Sequence, residues 1–490
     1  MNAQLLIAFA AYFSILLAIG YFSYKKQTSS ADFIMGNRSL NFWVIALSAH
    51  ASDMSSWLFM GFPAAVYLSG LSQTWIAFGL LAGMYFNWQL VSTRLRTMTE
   101  HYDSYTLSTF FERRFQDQSG IIRLLTALIS VFFLTCYLSA GLIGMGLLFE
   151  SVFHIDYHLG LTLATCVVVA YTFVGGFITV AWTDLFQALF LLAVIILVPV
   201  TAFLNLSNGT ESIYAVASAK EISLHFMPTL SMESGAAALF LIFGWGLGYF
   251  GQPHIVTKFM GIESAGDLKK SKYIGMTWML IALSAAAAIG VIGIPFFEQG
   301  LHKPELIFVE MVKILFHPLA AGFILCGVLA ASMSTMDSQI LVCASVLSED
   351  LYKHVMCKTA SEKDLLKISR GAVILVSFLS LGIAFSKHTT VLDMVQYAWS
   401  GLGAAFGPLV LMSLYSKQAN RYGAMAGICS GGILGAFWTK LNPLFTEHAV
   451  PAMIPGFFVS LLCIYVVSAL TEKSKIFVQN QEIRPLPSED

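Results

Sequence analysis

Residues 48–57 read Ser-Ala-His-Ala-Ser-Asp-Met-Ser-Ser-Trp, inside a stretch, 42–68, that is otherwise apolar enough to be a membrane-spanning helix. An Asp at the centre of such a helix costs roughly 2.5–3.5 kcal/mol on insertion scales. Small hydroxyl residues gathered around that one carboxylate therefore point to a task. Gly61 and Pro63 follow a turn later and weaken the helix, freeing backbone carbonyls. A polar, breakable helix at mid-membrane depth is the mark of a solute or ion site in a secondary transporter.

Two further stretches could complete such a site. Ala330-Ala-Ser-Met-Ser-Thr-Met-Asp-Ser338 gathers Ser332, Ser334, Thr335, Asp337 and Ser338 on another expected span. Hydroxyls that bond back to carbonyls one turn earlier would account for Ser332, but less well for the whole group. A sodium ion can be held by half-helix carbonyl ends and Ser/Thr hydroxyls without a formal carboxylate. Each of the two spans offers half of such a cage. Phe243-Gly-Trp-Gly-Leu-Gly-Tyr-Phe-Gly-Gln-Pro-His254 is too rich in glycine for a continuous helix, so a second broken span is expected there. Trp245 and Tyr249 are four residues apart and can share a face. They read either as an aromatic wall over an apolar solute or as an ordinary packed pair, and the glycines favour the wall.

The elements that must position these residues follow from composition. Of the 490 residues, 57% are hydrophobic and 11% charged, against about 25% charged in a soluble protein. Mean hydropathy is +0.74. The net charge of −1 says little about partners. Apolar runs recur along the whole chain and predict an all-α polytopic membrane protein embedded in a lipid bilayer. About thirteen transmembrane helices are expected, near 4–24, 42–68, 73–95, 121–149, 157–177, 184–205, 233–251, 272–297, 317–345, 365–386, 391–415, 421–440 and 452–472. With the N-terminus outside and the C-terminus cytoplasmic, all of the 27 basic residues except Lys220, Lys303, Lys313, Lys387 and Lys440 fall on the inner side. That set includes Lys258, and the asymmetry is the one membrane insertion favours.

No basic segment precedes the first apolar run, so a first span that stays in the membrane is expected. Segments 96–120 and 346–370 are charged enough for short amphipathic helices at the surface. Asp393 reads as a carboxylate at a helix end. Asp184, taken to open the sixth span, reads equally as a helix-end carboxylate or as part of a site. Seven scattered cysteines without a CxxC pair argue against a disulfide framework or a zinc site. The sequence holds no Walker loop, HExxH or cofactor fingerprint. Neither an enzyme nor an ATP-driven pump is expected; no cofactor beyond a coupling ion and no nucleic-acid partner are implied. A sensor built on such a fold would carry a cytoplasmic domain, for which the stretch after residue 472 leaves no room.

At these motifs the chain resembles the sodium:solute symporter family, and within it the proline-carrying branch. The resemblance rests on Gly36-Asn-Arg-Ser-Leu40, Ser52-Asp-Met-Ser55, Gly175-Gly176 with Trp182-Thr-Asp184, Gly244–His254, Met333-Ser-Thr335 and Gly403-Ala-Ala-Phe-Gly-Pro408. It implies a LeuT-like core of two inverted five-span repeats, 42–205 and 233–415, joined by an external loop, 206–232. A first span and loop (1–41), two peripheral spans (416–472) and a cytoplasmic tail (473–490) would flank that core.

The resemblance also implies roles for residues. Sodium would be held by backbone carbonyls of Ala51, Met54 and Ala331 and by the hydroxyls of Ser334 and Thr335, with Asp53 organising the site. Ser55, Ser56, Trp57, Tyr137, Trp245 and Tyr249 would line or gate a pocket for L-proline, with another small amino acid or carboxylate as the alternative solute. Arg38 would sit at the inner mouth. Asp184, Asp337 and Ser338 form a candidate second sodium site. A monomer would suffice. The chain departs from the proline-carrier pattern at His50 and Ser56, where Gly is usual, and at Asp337, where a small hydroxyl residue is usual.

Overall fold

The computed structural model describes residues 3–23, 30–174, 176–227, 231–386 and 389–471. The expected features at Gly175, Lys25, Lys26 and Lys387 and in the tail 473–490 lie outside the described residues. Among the described residues the fold is all-helical, and its only β pairing is an isolated bridge between Leu40 and Ile262. The principal helices are α1 (Ala3–Ser23), α2 (Phe42–Asp53), α3 (Gly61–Ser69), α4 (Trp75–Phe86), α5 (Ile121–Phe153), α6 (Tyr157–Val174), α7 (Phe177–Leu204) and α8 (Met232–Gly246). They continue as α9 (Pro253–Met260), α10 (Leu268–Phe296), α11 (Pro318–Ser345), α12 (Glu362–Ala384), α13 (Val391–Tyr415), α14 (Arg421–Phe445) and α15 (Met453–Leu470).

Ten helical stretches of the described chain are long and apolar enough to cross a membrane, against the thirteen expected. The difference has three local causes. The expected span 42–68 is split at Met54 and Ser55, and its second half runs on with the next span as one stretch, Ser56–His101. The fifth expected span is α6, whose apolar part, Tyr157–Ala170, is short. The twelfth is α14, diluted by Gly423, Gly427, Gly431, Gly432 and Gly435. One boundary is corrected. The sixth span begins at Phe177 rather than at 184, so Asp184 lies two turns inside α7 and is not a helix-end carboxylate. Asp393 does sit in a first turn, where its amide is capped by Thr390 Oγ1 at 3.1 Å.

Burial sorts the helices. The apolar windows of α11 and α13 are 83% buried, that of α1 only 22%. Thus α11 and α13 form the centre, and α1 lies at the edge. Large apolar side chains such as Leu189, Leu280, Phe378, Phe437 and Leu462 point outward from α7, α10, α12, α14 and α15. An apolar exterior of this extent suits a hydrocarbon solvent. The stretch 206–232, expected to be an external loop, contains the helix Gly209–Ala219. The charged segments near 96–120 and 346–370 contain the helices Thr93–His101 and Leu107–Arg114 and a π-helical turn, Val346–Met356.

The glycines that break α8 also let it pack closely. A Cβ on Gly246 would stand 2.5 Å from the Gly79 carbonyl oxygen on α4, and one on Gly248 would stand 1.9 Å from Trp399 Nε1 on α13. Small residues at such crossings are how helices gain contact where no hydrophobic force drives them together. A Cβ on Gly371, in α12, would meet nothing within 4 Å, and that position serves as a control. Gly248→Ala is therefore expected to cost about 1–3 kcal/mol by overpacking. Gly371→Ala is expected to be neutral, or stabilising by up to about 1 kcal/mol. Thermal unfolding of the two purified variants beside the wild type measures both; equal shifts would refute the packing argument.

Candidate ion and solute site

The break in α2 is where the polar stretch stops being helical. Met54 closes the helix with φ −88° and ψ 78°, Ser55 is extended, and a 3₁₀ turn follows over Ser56–Leu58. Ser and Asp at the break compete with the backbone for hydrogen bonds and favour its end, and the Ser55 side chain caps the new turn by accepting from Trp57 N at 3.5 Å. The carbonyls released by the break meet α11. Ser334 Oγ donates to Ala51 O at 2.8 Å and lies 3.1 Å from Ala331 O; Thr335 Oγ1 reaches the same two oxygens at 3.4 and 3.2 Å. Four of the five expected sodium ligands thus converge within hydrogen-bond distance, fully buried or nearly so. The fifth, the Met54 carbonyl, belongs to the residue that leaves the helical conformation. Among the described residues no group of three or more His, Cys, Asp or Glu could hold a metal, so this cage is one of neutral oxygens.

Asp53 turns elsewhere. Its Oδ2 accepts from Tyr249 Oη at 2.5 Å, and its Oδ1 has no partner. The Asp53 carbonyl is 3.4 Å from Trp57 Nε1. Tyr249 lies in the second break, where α8 passes into a 3₁₀ turn, Leu247–Gly251, before Gln252 extends and α9 begins at Pro253. Asp53 therefore joins the two broken helices. Around this bond the aromatic residues gather. Trp57 and Trp245 have ring centroids 6.0 Å apart, Trp245 and Trp399 6.4 Å, and Tyr249 meets Trp399 edge-on at 5.0 Å. Trp399 Nε1 donates to Trp245 O at 2.8 Å, and Gln252 Nε2 donates to Trp399 O at 3.1 Å.

Tyr137 of α5 is buried and packs edge-on against His254 at 5.6 Å. Both nitrogens of His254, the Tyr137 hydroxyl and Ser56 Oγ lack protein partners. Unpaired buried polar atoms beside an aromatic wall suit a small solute with both apolar and polar ends. Trp399, four residues before the Gly403–Pro408 motif, carries no signal of its own in the sequence, and His254 stands out only as the end of the Phe243–His254 run. The two departures from the proline pattern are absorbed by packing: Ser56 abuts Gly144 of α5, and His50 lies between Trp88 and Trp278, over Gly275.

Asp184 and Ser338 fall in one cluster with residues of α2. Asp184 Oδ2 accepts from Ser48 Oγ at 2.7 Å and Ser52 Oγ at 3.3 Å, and Ser52 Oγ is 2.8 Å from Ser338 Oγ. Asp337 Oδ1 accepts from Thr172 Oγ1 at 2.6 Å. Lys258, expected in an inner loop, lies instead in α9, the helix that follows the break at Gln252; there it is 2% exposed and pairs with Asp184 at 2.9 Å. Its signal in the sequence is its place four residues after His254, on the same helical face. Lys258, His254 and Ser338 also line a cleft that runs toward Tyr105 and Thr106, with a volume of about 30 Å³. At that end of the bundle Arg38 bonds Thr99 Oγ1, Met260 O and Ser104 O at 3.3, 3.0 and 3.1 Å, tying three segments together. Burial, and then the neighbouring Arg96, lower its pKa from the usual arginine value.

Comparison with known proteins agrees with this architecture. The model of the Sodium:solute symporter family matches residues 33–431. The high-affinity proline transporter PutP of Bacillus subtilis (strain 168) is 42% identical over 470 residues, covering 95% of this chain and 98% of its own. The sodium/proline symporter of Staphylococcus aureus (strain JH9) is 41% identical over 493 residues, covering 98% and 95%. Among solved structures, a Na+-coupled sialic acid symporter in a substrate-bound outward-open state superposes with a TM-score of 0.81 at 18% identity, covering 95% of this chain and 98% of that one. With its family model spanning most of the length and relatives of this identity end to end, the chain belongs to the sodium:solute symporter family.

Proposed function

We propose that this chain carries L-proline into a bacterial cell across the cytoplasmic (inner) membrane, driven by sodium and by alternating access. The observation that carries the reading is the convergence of the Ala51 and Ala331 carbonyls with the Ser334 and Thr335 hydroxyls at the break in α2. Sodium would bind there, with the Met54 carbonyl as fifth ligand and Asp53 organising the break. Proline would lie against Trp57, Tyr137, Trp245 and Tyr249, beside Ser55 and Ser56, with Arg38 at the inner mouth. The relatives named for proline support that solute over other amino acids.

The topology proposed with it has thirteen spans, the N-terminus outside and the C-terminus inside. Inverted repeats at 42–205 and 233–415 are joined by the external loop 206–232. The first span (1–41) and the last two (416–472) lie outside the core, before a tail at 473–490. The paired breaks, one early in each half, support this division. A monomer contains every residue of the site.

The energetics are adequate. One sodium entering down ~100 mV releases about 2.3 kcal/mol, and a tenfold gradient adds about 1.4 kcal/mol. The sum supports roughly 500-fold accumulation of a neutral solute. Ordering of the α2 break by sodium is the step that would favour the outward-open form and prepare the pocket, as a ligand can shift an equilibrium only by binding one state better.

Uptake of labelled proline into vesicles, with and without an inward sodium gradient, tests the reading; uptake that ignores sodium would sink it. Thr335→Ala is expected to raise the half-saturating sodium concentration about tenfold or more, the loss of about 1.4 kcal/mol of ion binding. Unchanged sodium dependence would remove Thr335 from the cage. Because Asp53 and Tyr249 link the two breaks, Tyr249→Phe and Asp53→Asn are expected to impair sodium and proline affinity together. Their double variant should be little worse than either single one, as a shared interaction requires. Fully additive losses would show that the bond does not couple the sites.

A further inference from the structure

The cluster around Asp184 contains its own cation. Lys258 Nζ is buried, 2.9 Å from Asp184 Oδ2, and stands 5.4 Å from the centre of the Phe177 ring. The same carboxylate oxygen takes Ser48 Oγ and Ser52 Oγ, and Ser52 Oγ meets Ser338 Oγ. Ser52 directly follows Ala51, whose carbonyl holds Ser334 and Thr335. The two oxygen clusters therefore share one turn of α2 and face two successive turns of α11. One has no charged side chain among its ligands. The other has a carboxylate and an ammonium.

We infer that the Lys258 ammonium is a tethered cation that takes the place of a second sodium at Asp184 and Ser338, and so fixes coupling at one sodium per solute. The clause about coupling rests on the proposed sodium-driven transport; the occupancy of the cluster does not. A buried carboxylate must be matched by a positive charge or it is strongly disfavoured. That charge can arrive and leave with each cycle, or it can be held by the chain. An ammonium is compact, carries three donors and sits on a flexible stem, so it reaches the position an ion would take. Once there it repels a second cation at short range, in a setting that screens poorly. The aromatic face of Phe177 holds it from a second side.

The rest of the cluster would accept sodium if the ammonium were removed. Asp184 Oδ1 has no protein partner, and Ser52 and Ser338 supply hydroxyl oxygens beside Asp184. The cleft toward Tyr105 and Thr106 is lined by both Lys258 and Ser338, so it reaches the edge of the cluster. Lys258, not the carboxylates, is thus the residue that decides how many ions bind.

The test counts ²²Na+ bound at equilibrium to the purified full chain in lipid nanodiscs. Wild type and Lys258→Arg are expected to bind one ion per chain, Lys258→Met two, and Asp184→Asn/Lys258→Met one. Two ions per wild-type chain, or one per Lys258→Met chain, overturns the inference. If Lys258→Met does not reach the membrane, Lys258→Arg and wild type decide: one ion in both supports the inference, and two in either overturns it. In proteoliposomes the ratio of sodium to proline moved should rise from one to two in Lys258→Met, with the Hill slope for sodium rising from one toward two. A wild type that moves no proline overturns the transport reading, and the ion count still tests Lys258.

Discussion

A helix interrupted inside a membrane protein leaves carbonyls that no water can satisfy, and in this chain the partners come from α11. That constraint organises the molecule. The Ala51 carbonyl is met by Ser334 and Thr335 because α11 passes beside the break as the most buried helix along with α13. Small residues line that passage: Ala330, Ala331, Ser332 and Ser334 are fully buried, so the two backbones can approach. Backbone groups that would be a liability in hydrocarbon become ligands when another helix supplies hydroxyls that can rotate between a carbonyl and an ion.

The second break is held by the same logic with different groups. Gln252 donates to Gly248 O and Trp399 O, so a side chain of the break itself takes a carbonyl near the start of the 3₁₀ turn and ties the break to α13. The glycines of the 244–251 run then serve two ends at once. They permit the tight turn, and they bring Trp399 close enough for its indole to reach the Trp245 carbonyl. Tyr249, thereby fixed against Trp399, presents its hydroxyl to Asp53. Ion cage and aromatic wall are separate in composition, but they share a residue pair at the point where both helices are weakest. A single short bond joins one break to the other.

Much of this is legible in the sequence, and the limits have physical reasons. Polar residues in an apolar run are conspicuous because they are costly, so Ser48–Trp57 and Ala330–Ser338 stand out, and the structure brings their carbonyls and hydroxyls together. Glycine with proline marks the second break. Helix starts are less visible. Phe177 opens α7 without a side-chain cap, so the polar Asp184 reads as the boundary, two turns late. Lys258 misleads for a related reason. A lysine soon after a proline and a glycine-rich run reads as a loop residue, but the chain stays buried through the break and continues as α9, which buries it. Pairings between distant residues, such as Lys258 with Asp184 or Asp53 with Tyr249, depend on which helices are neighbours, and periodicity carries no such information.

The contrast between the two oxygen clusters follows from what each must do. An ion that is carried has to leave at every cycle, so its ligands must not bind it too strongly. Carbonyl and hydroxyl oxygens meet that requirement, where a formal carboxylate among them would deepen the well. Asp53 is only two residues from Ala51, yet its carboxylate is directed to Tyr249 and away from the cage. A charge that is never carried has the opposite requirement. Asp184 ties α7 to α2 through Ser48 and Ser52, and in the proposed scheme its partner Lys258 on α9 would keep that junction intact while the neighbouring cage fills and empties. In the proposed scheme, separating the exchangeable cation from the fixed one by a single helical turn would let one helix both release sodium and stay in place.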